Sequence, residues 1–323
     1  MQTPVRFDVC SMKPDLNEAA ICEELADLFS SINNNLTHID KNTITPSNTH
    51  RIISIEQVAD RLLKCKKTKG LLYGDIFPHL ITRFANTLAV PLSIIYNRAL
   101  HEEKWPRIWK LEYVTPIPKV TSPSSYNELR NISCMTVFSK VLEYFILKQA
   151  KEEVTPRINQ FGGLAGSSTN HYLISVWNDL LESVEGGEQE AVNLISIDFA
   201  KAFNKMDHTA CINAFKRKGA SQKTINMIAA FLSERTMCIK IGETKSSTRP
   251  IMGGSPQGTL LGNFLFIITT DELELTNYTY NTNQTQTSNV TSNDTLIDLT
   301  SSYSENPSTP PSPSNMPHCW RKH

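Results

Sequence analysis

Apolar positions recur at helical spacing in three segments near the start of the chain. The first helix candidate is DLNEAAICEELADLFSSI, residues 15–32. A second helix is predicted to open at SIEQVADRLLKCKK, where Ser54 and Gln57 have the spacing of a capping box. A further helical block is predicted within residues 71–104, at FPHLITRFANTLAVPLSIIYNRAL. The apolar stripe of the second helix consists of Ile55, Val58, Leu62 and Leu63.

The pattern changes twice further along the chain. From Trp105 to about Asp271, short apolar strands alternate with helices, which predicts the α+β or α/β class, and we expect α+β. After Leu275 the residues are mostly Asn, Thr, Ser, Gln and Pro, which cannot bury enough apolar surface to become ordered. We therefore predict a helical and linker segment, a folded domain and a disordered tail, at residues 1–50, 51–275 and 276–323.

Charge and cysteine content limit the partners and the cellular compartments expected for the chain. Lys and Arg total 32, as do Asp and Glu, so no overall field attracts nucleic acid or a membrane. The seven cysteines are scattered and contain no C-x-x-C, which predicts neither a zinc site nor a disulfide framework. Cysteines without a disulfide framework are typical of a reducing compartment, so we expect an intracellular location, in the nucleus or the cytoplasm. No apolar run approaches the roughly 18 residues of a membrane span, so no membrane partner is expected.

The stretch NLISIDFAKAFNKMDH, residues 193–208, contains the first candidate for chemistry. Asp198 closes an apolar run typical of a buried strand, and a helix is predicted to follow. A buried carboxylate destabilises a fold unless it has a partner. On the residues alone, Asp198 is either a metal ligand or the N-cap of the following helix.

Five stretches in a fixed order carry a family resemblance. They are WPRIWKLEYVTPIPK, YNELRNISCMTVFSKVLEYFI, QFGGLAGSSTNHYLI, LISIDFAKAFNKMDH and GGSPQGTLLGNFLFIITTDEL. Over about residues 50–275 the chain resembles the reverse transcriptase domain of non-long-terminal-repeat, LINE-type retrotransposons. The resemblance implies right-hand polymerase fingers and a partial palm within residues 51–275. It also implies an RNA-directed DNA polymerase, a nucleotidyltransferase that uses an RNA template, a DNA primer and deoxynucleotides.

The same resemblance gives roles to individual residues. Asp198 corresponds to the first metal-binding aspartate, and the backbone carbonyl of Phe199 would be a further metal ligand. Nucleotidyl transfer in this family uses two Mg²⁺ ions, which prefer oxygen ligands. Lys119 and Arg130 correspond to residues that hold the triphosphate, although each one alone would be interpreted as a surface charge.

Phe203, Gln257 and Gly258 complete the predicted nucleotide site. A ring at Phe203 would clash with a ribose 2′-hydroxyl, which favours deoxynucleotides and disfavours an RNA-dependent RNA polymerase. Without the resemblance, a core aromatic of a helix is a serious alternative interpretation of Phe203. Gln257, next to Gly258, would orient the incoming nucleotide and the template. Alone, the P-Q-G sequence is simply typical of a turn.

The chain also departs from the family pattern. Asn131 replaces the proline of R-P-I-S, Gly163 replaces an aromatic, Asn204 replaces an aspartate, and Asn263 replaces a proline. The family's Gly-Val-Pro is GGSP in this chain. Together these differences suggest relaxed constraint.

A second departure concerns the metal site. The family follows its last helix with a hairpin bearing Y-x-D-D, and no D-D pair occurs in this sequence; Asp271 and Glu272 end the last apolar helix instead. One carboxylate cannot hold two Mg²⁺ ions against their mutual repulsion. We therefore expect a truncated, catalytically inactive reverse transcriptase domain. The alternative is a non-catalytic fragment that binds nucleic acid or protein.

Overall fold

Among the described residues of the computed structural model, four α-helices precede the first strand. The structure describes residues 9–32, 39, 44–47, 52–65, 76–157, 160–185, 198–199 and 201–271. The first helices are α1 (Glu18–Ser31), α2 (Ile55–Leu63), α3 (Pro78–Arg83) and α4 (Ala85–Glu102). These bounds confirm the three helical segments predicted from the apolar spacing. The capping box of Ser54 and Gln57 is present with both of its hydrogen bonds.

The rest of the described chain alternates between strands and helices, which confirms the α+β class. The strands are β1 (Leu111–Pro118), β2 (Leu129–Cys134), β3 (Arg235–Ile241), β4 (Thr244–Lys245) and β5 (Arg249–Ile251). The helices are α5 (Val137–Glu153), α6 (Thr169–Glu185), α7 (His208–Arg217), α8 (Gln222–Leu232) and α9 (Leu260–Thr270). No helix in the described ranges combines the length and apolar character needed to cross a bilayer. The predicted disordered tail, 276–323, lies outside the described residues.

The strands form one mixed sheet. β1 pairs antiparallel with β2 and parallel with β3, and β3 pairs antiparallel with both β4 and β5. A parallel pair needs a long crossover, and helices α5 to α8 lie in the chain between β1 and β3. The apolar run 193–197 that leads to Asp198 lies outside the described residues, so its predicted strand stays a prediction.

Helix α1 covers one face of the sheet. Its side chains Ile21 and Leu25 are fully buried in one hydrophobic cluster with Val114 of β1 and Ile239 of β3. At the rim, Arg249 of β5 forms ion pairs with Glu23 and Asp27 of α1, at 3.0 and 2.8 Å. The N-terminal helix therefore contributes to the same core as the sheet. A second, larger core joins α2, α4, α5, α7, α8 and α9.

A buried ion pair joins the sheet to the end of α8. Arg235, at the start of β3, donates from Nε to Glu112 of β1, and their side chains are 1% and 3% exposed. The Arg235 guanidinium also donates to the Phe231 carbonyl at 3.1 Å and lies over the Phe231 ring. Charges this deeply buried depend on each other, because neither is solvated by water.

A buried glutamate connects α5 to α9. Oε1 of Glu143 accepts a hydrogen bond from the Leu261 amide at 2.6 Å, in the first turn of α9. Its Oε2 has no hydrogen-bond partner among the described residues. Burial raises the pKa of the Glu143 carboxyl, and the Leu261 amide only partly offsets that effect.

The Glu143→Gln variant should therefore become more stable relative to the wild type as the pH rises from about 4.5 toward neutrality. The pKa of Glu143 is raised above its ordinary 4.5 in the folded state, so folding binds protons in that window. The contribution of Glu143 to the free energy of unfolding therefore falls as the pH rises through this range. Glutamine does not titrate, so the variant lacks this pH dependence. Urea unfolding at several pH values measures the difference. Glu182→Gln, on exposed α6, is the matched control; a constant difference between Glu143→Gln and the wild type would contradict the assignment.

Candidate functional site

A cavity of about 560 Å³ lies where the ends of β1 and β2 meet the segments before α7 and α9. We call it the central cavity. Five residues predicted from separate motifs line it: Lys119, Arg130, Phe203, Gln257 and Gly258. Asp198 and Phe199 are not among its lining residues. The structure thus brings the predicted nucleotide-binding residues together, whereas the roles given to them stay predictions.

One wall of the central cavity is a single 3₁₀ turn, Ala202–Lys205. Lys201 precedes it with a φ of 57°, in the left-handed region. Its carbonyl accepts a hydrogen bond from the Asn204 amide at 2.9 Å, which closes the turn. The turn carries Phe203 to the cavity wall and places Asn204 beneath it, only 8% exposed.

The loop before α9 packs directly against this turn. The Ser255 amide donates to the Phe203 carbonyl at 2.7 Å, and the Gly254 amide donates to the Met206 carbonyl at 2.8 Å. Gly254 has a φ of 80°, and a Cβ there would lie 2.6 Å from the Asn204 carbonyl oxygen. The second glycine of GGSPQG is therefore required for the close approach of the two motifs.

Three side-chain amides connect the turn, the loop and β2. Gln257 donates from Nε2 to Oδ1 of Asn204, and Asn204 donates from Nδ2 to Oδ1 of Asn131 at 3.1 Å. The Gln257 carbonyl accepts from the Ser133 amide at 2.9 Å. Gln257 is consequently fixed to β2 through its backbone and to the turn through its side chain.

The lining of the central cavity is positively charged. Lys119, Arg130 and Lys201 contribute to it, and none of its lining residues in the described ranges is Asp or Glu. The Lys119 ammonium donates to the Asn127 carbonyl at 2.7 Å, and Lys201 donates to Asn127 Oδ1 at 3.3 Å. Within the described part of the chain, the Arg130 guanidinium makes no hydrogen bond or ion pair. Lys119 also lies near enough to Glu128 to contribute to the lowered pKa of that carboxyl, but no carboxylate of the described residues forms an ion pair with these three cations. Cations in this arrangement are suited to an anionic ligand.

Phe203 both packs and lines the cavity. Its ring centroid lies 5.0 Å from that of Phe266 on α9, and the ring is half-buried. The residue lies in a single 3₁₀ turn, where it packs on Phe266 as an aromatic of a helix would and also lines the cavity.

The alternative role of Asp198, as a helix N-cap, is wrong. The helix predicted to follow Asp198 is α7, which begins at His208, and Asp207 is its N-cap, with Oδ1 accepting from the Ala210 amide at 2.7 Å. Asp198 is exposed, as is Phe199, whose exposed fraction is 48%. In the sequence, one residue separates the predicted ligands from Lys201 at the cavity wall.

The carboxylates of the described residues do not by themselves fit a two-ion magnesium site. No group of three His, Cys, Asp or Glu in the described ranges lies close enough to hold a metal together. Asp271 is engaged in the fold, because its carboxylate accepts from the Arg157 amide at 2.9 Å and pairs with Lys218. Asp198 thus supplies a single carboxylate.

Sequence reasoning missed Lys201 and Asn127. Lys201 lies inside the motif LISIDFAKAFNKMDH. Its positive charge beside a turn was the signal from which it could have been predicted. Asn127 has a position that only the folded chain reveals, since its carbonyl and side chain hold Lys119 and Lys201.

Comparison with known proteins agrees with this arrangement of motifs. The reverse transcriptase (RNA-dependent DNA polymerase) family matches residues 117–288. The chain is 25% identical over 232 residues to the probable RNA-directed DNA polymerase from transposon BS of Drosophila melanogaster, covering 70% of this chain and 25% of that protein. It is 29% identical over 224 residues to the RNA-directed DNA polymerase from mobile element jockey of the same species, covering 67% and 24%.

A third relative comes from another insect. The Pol polyprotein of the type-1 retrotransposable element R2 of Popillia japonica is 29% identical over 172 residues, covering 52% of this chain and 24% of the relative. The chain thus spans about a quarter of the length of these curated relatives. With the family match extending over more than half of its residues, the chain belongs to the reverse transcriptase (RNA-dependent DNA polymerase) family and is related to the enzymes of non-long-terminal-repeat retrotransposons.

Proposed function

We propose that the chain carries the deoxynucleotide-binding face of an RNA-directed DNA polymerase, with the central cavity as the site of the incoming nucleoside triphosphate. The observation that carries the proposal is the charge of this cavity. Three cations and no carboxylate among its described lining residues surround a space of about 560 Å³, within the range of small-molecule sites. The polymerase partners would be an RNA template and a DNA primer, in an intracellular setting.

Each lining residue has a part in the proposal. Lys119 acts as a point charge and Arg130 as a two-pronged donor to the triphosphate. The ring of Phe203 lies under the sugar, and Gln257 with Gly258 faces the base and the template. In the right-hand arrangement, β1 and β2 belong to the fingers, and α7, α9 and the turn belong to the palm.

The metal part of the proposal is limited to one ligand group. Asp198 and the carbonyl of Phe199 would contribute oxygen ligands to Mg²⁺, the ion that favours such ligands. Additional carboxylates would have to complete the two-ion set. Bound Mg²⁺ would supply charge stabilisation for the transferring phosphoryl group.

Equilibrium binding to the full chain tests the proposal. A fluorescent deoxynucleoside triphosphate should bind, and unlabelled deoxynucleoside triphosphate should compete with it. The matching deoxynucleoside, which lacks phosphates, should compete far less well, because it makes no contact with the cavity cations. Equal competition by the nucleoside and the triphosphate would overturn the proposal.

Replacing Phe203 with alanine should lower the preference for deoxy- over ribonucleoside triphosphate by roughly 10- to 100-fold. A pocket wall of this kind rejects an added hydroxyl only by steric exclusion, which gives discrimination of about that size. Competition binding with the two nucleotides measures the ratio. Phe266→Leu is the matched control, since it removes the same ring contact but leaves Phe203 in place. An unchanged ratio in Phe203→Ala would contradict the role.

The purified chain by itself should give no primer extension on a primed RNA template with deoxynucleotides and Mg²⁺. Among the described residues, Asp198 is the one carboxylate with a predicted metal-binding role, and losing stabilisation by a second ion lowers the rate by many powers of ten. Extension above background by the unmodified chain would contradict the expectation of inactivity, provided that Asp198→Ala removes the signal and so excludes a contaminating polymerase.

A further inference from the structure

The three side-chain amides at the cavity wall are arranged head to tail. Gln257 Nε2 donates to Asn204 Oδ1, and Asn204 Nδ2 donates to Asn131 Oδ1. Each link uses one donor and one acceptor, so the direction of the chain of hydrogen bonds is the same throughout. Such bonds polarise one another, and the bond at one end responds to the acceptor at the other.

Both asparagines are positions at which this chain departs from the family motif. A proline in place of Asn131 would offer no side-chain acceptor to Asn204. An aspartate in place of Asn204 would lack the Nδ2 donor that Asn131 Oδ1 receives here. The two departures therefore complement each other, in contrast to the relaxed constraint suggested by the motifs one at a time.

A second pair of departures also meets in space. Asn263, in the first turn of α9, donates from Nδ2 to the Gly163 carbonyl at 3.4 Å. Gly163 has a φ of 73°, and a Cβ there would lie 2.8 Å from Nδ2 of Asn263. The differences from the family pattern thus occur as contacting pairs at and beside the central cavity.

We propose that Asn131 and Asn204 are positioning residues that orient the side-chain amide of Gln257 toward the ligand in the central cavity. With one Nε2 hydrogen engaged by Asn204, the second hydrogen and Oε1 of Gln257 are left for the ligand. Oε1 accepts no hydrogen bond from the described residues. It suits a hydroxyl or amino donor on a nucleotide, and this part of the inference rests on the proposed function.

The first experiment follows the Gln257 side-chain amide by NMR in the full chain, with its signals assigned by their loss in Gln257→Ala. Asn131→Leu removes the terminal acceptor, so the hydrogen-bonded Nε2 proton should move upfield. Asn131→Asp supplies a charged acceptor, so the same proton should move downfield. Asn178→Asp, on exposed α6, should leave it unchanged.

Opposite shifts in the two Asn131 variants would support the amide chain, whereas shifts of the same sign, or none, would overturn it. If Asn131→Leu failed to fold, Asn131→Asp would decide alone: a downfield shift supports the chain and an unchanged signal overturns it. Neither result depends on nucleotide binding.

The second experiment tests positioning for the ligand. Asn131→Leu should weaken binding of a deoxynucleoside triphosphate several-fold when Gln257 is present and should have no further effect in the Gln257→Ala background. Equal weakening in both backgrounds would show that Asn131 does not act through Gln257, which overturns the positioning role. If the wild-type chain bound no nucleotide at all, the proposed function would fall, and the proton shifts would still decide the amide chain.

Discussion

Replacing Glu112 with leucine should lower the free energy of unfolding of the chain by about 3–5 kcal/mol, the cost of leaving one partner of a buried ion pair uncompensated. Arg235, only 1% exposed, would keep its charge without a hydrogen-bonded carboxylate and without water. Its remaining contacts, which are the Phe231 carbonyl, the Phe231 ring and the Met135 sulfur, do not neutralise that charge. Urea unfolding of the two proteins measures the difference.

Two further variants sharpen this test. The double variant Glu112→Leu/Arg235→Met should recover most of the lost stability, because it removes both charges together. Glu102→Leu breaks the exposed pair with Arg98 and should cost less than about 1 kcal/mol. A double variant as unstable as Glu112→Leu would show that packing, and not the uncompensated charge, dominates at this position.

Replacing Arg130 with alanine should weaken the binding of a deoxynucleoside triphosphate by roughly 10- to 100-fold, the range for hydrogen bonds to a charged group. The Arg130 guanidinium lines the central cavity and has no other described hydrogen-bond partner. The affinity of Arg130→Lys should lie between those of the wild type and Arg130→Ala, since lysine keeps the charge but lacks the planar fork of donors. Competition binding with the labelled nucleotide measures all three affinities.

The same experiment includes its own controls. Arg107→Ala removes an exposed arginine that does not line the cavity, and it should leave the affinity close to that of the wild type. Weak binding of the deoxynucleoside without phosphates should be the same in wild type and Arg130→Ala. An equal loss of affinity for nucleoside and triphosphate would contradict a contact between Arg130 and the phosphates.

Local signals in the sequence predicted the elements that are stabilised locally. The capping box at Ser54 and the apolar spacing of α1 and α2 depend on neighbours within one or two helical turns, so they could be predicted without knowledge of the fold. The N-cap of α7 shows the limit of such signals. Asp198 and Asp207 both precede an expected helix, and only the backbone geometry identifies Asp207 as the cap.

The candidate site was predicted as a set of residues but not as an arrangement. Gln257 lies far from Lys119 and Arg130 in the sequence, and the family resemblance implied that they meet. The close packing of Gly254 on the turn and the link from Gln257 through Asn204 to Asn131 depend on contacts between distant segments. No periodicity or spacing within one motif carries that information.

The packing of α1 on the sheet determines how the domain should be produced for experiments. A fragment that begins with the family match at residue 117 would cut through β1 and leave out α1 altogether. The sheet face that Ile21 and Leu25 cover would then be open to solvent, and an exposed apolar face of that kind promotes aggregation. Poor solubility of such a fragment would reflect the missing helix, so recombinant versions should start upstream of Glu18.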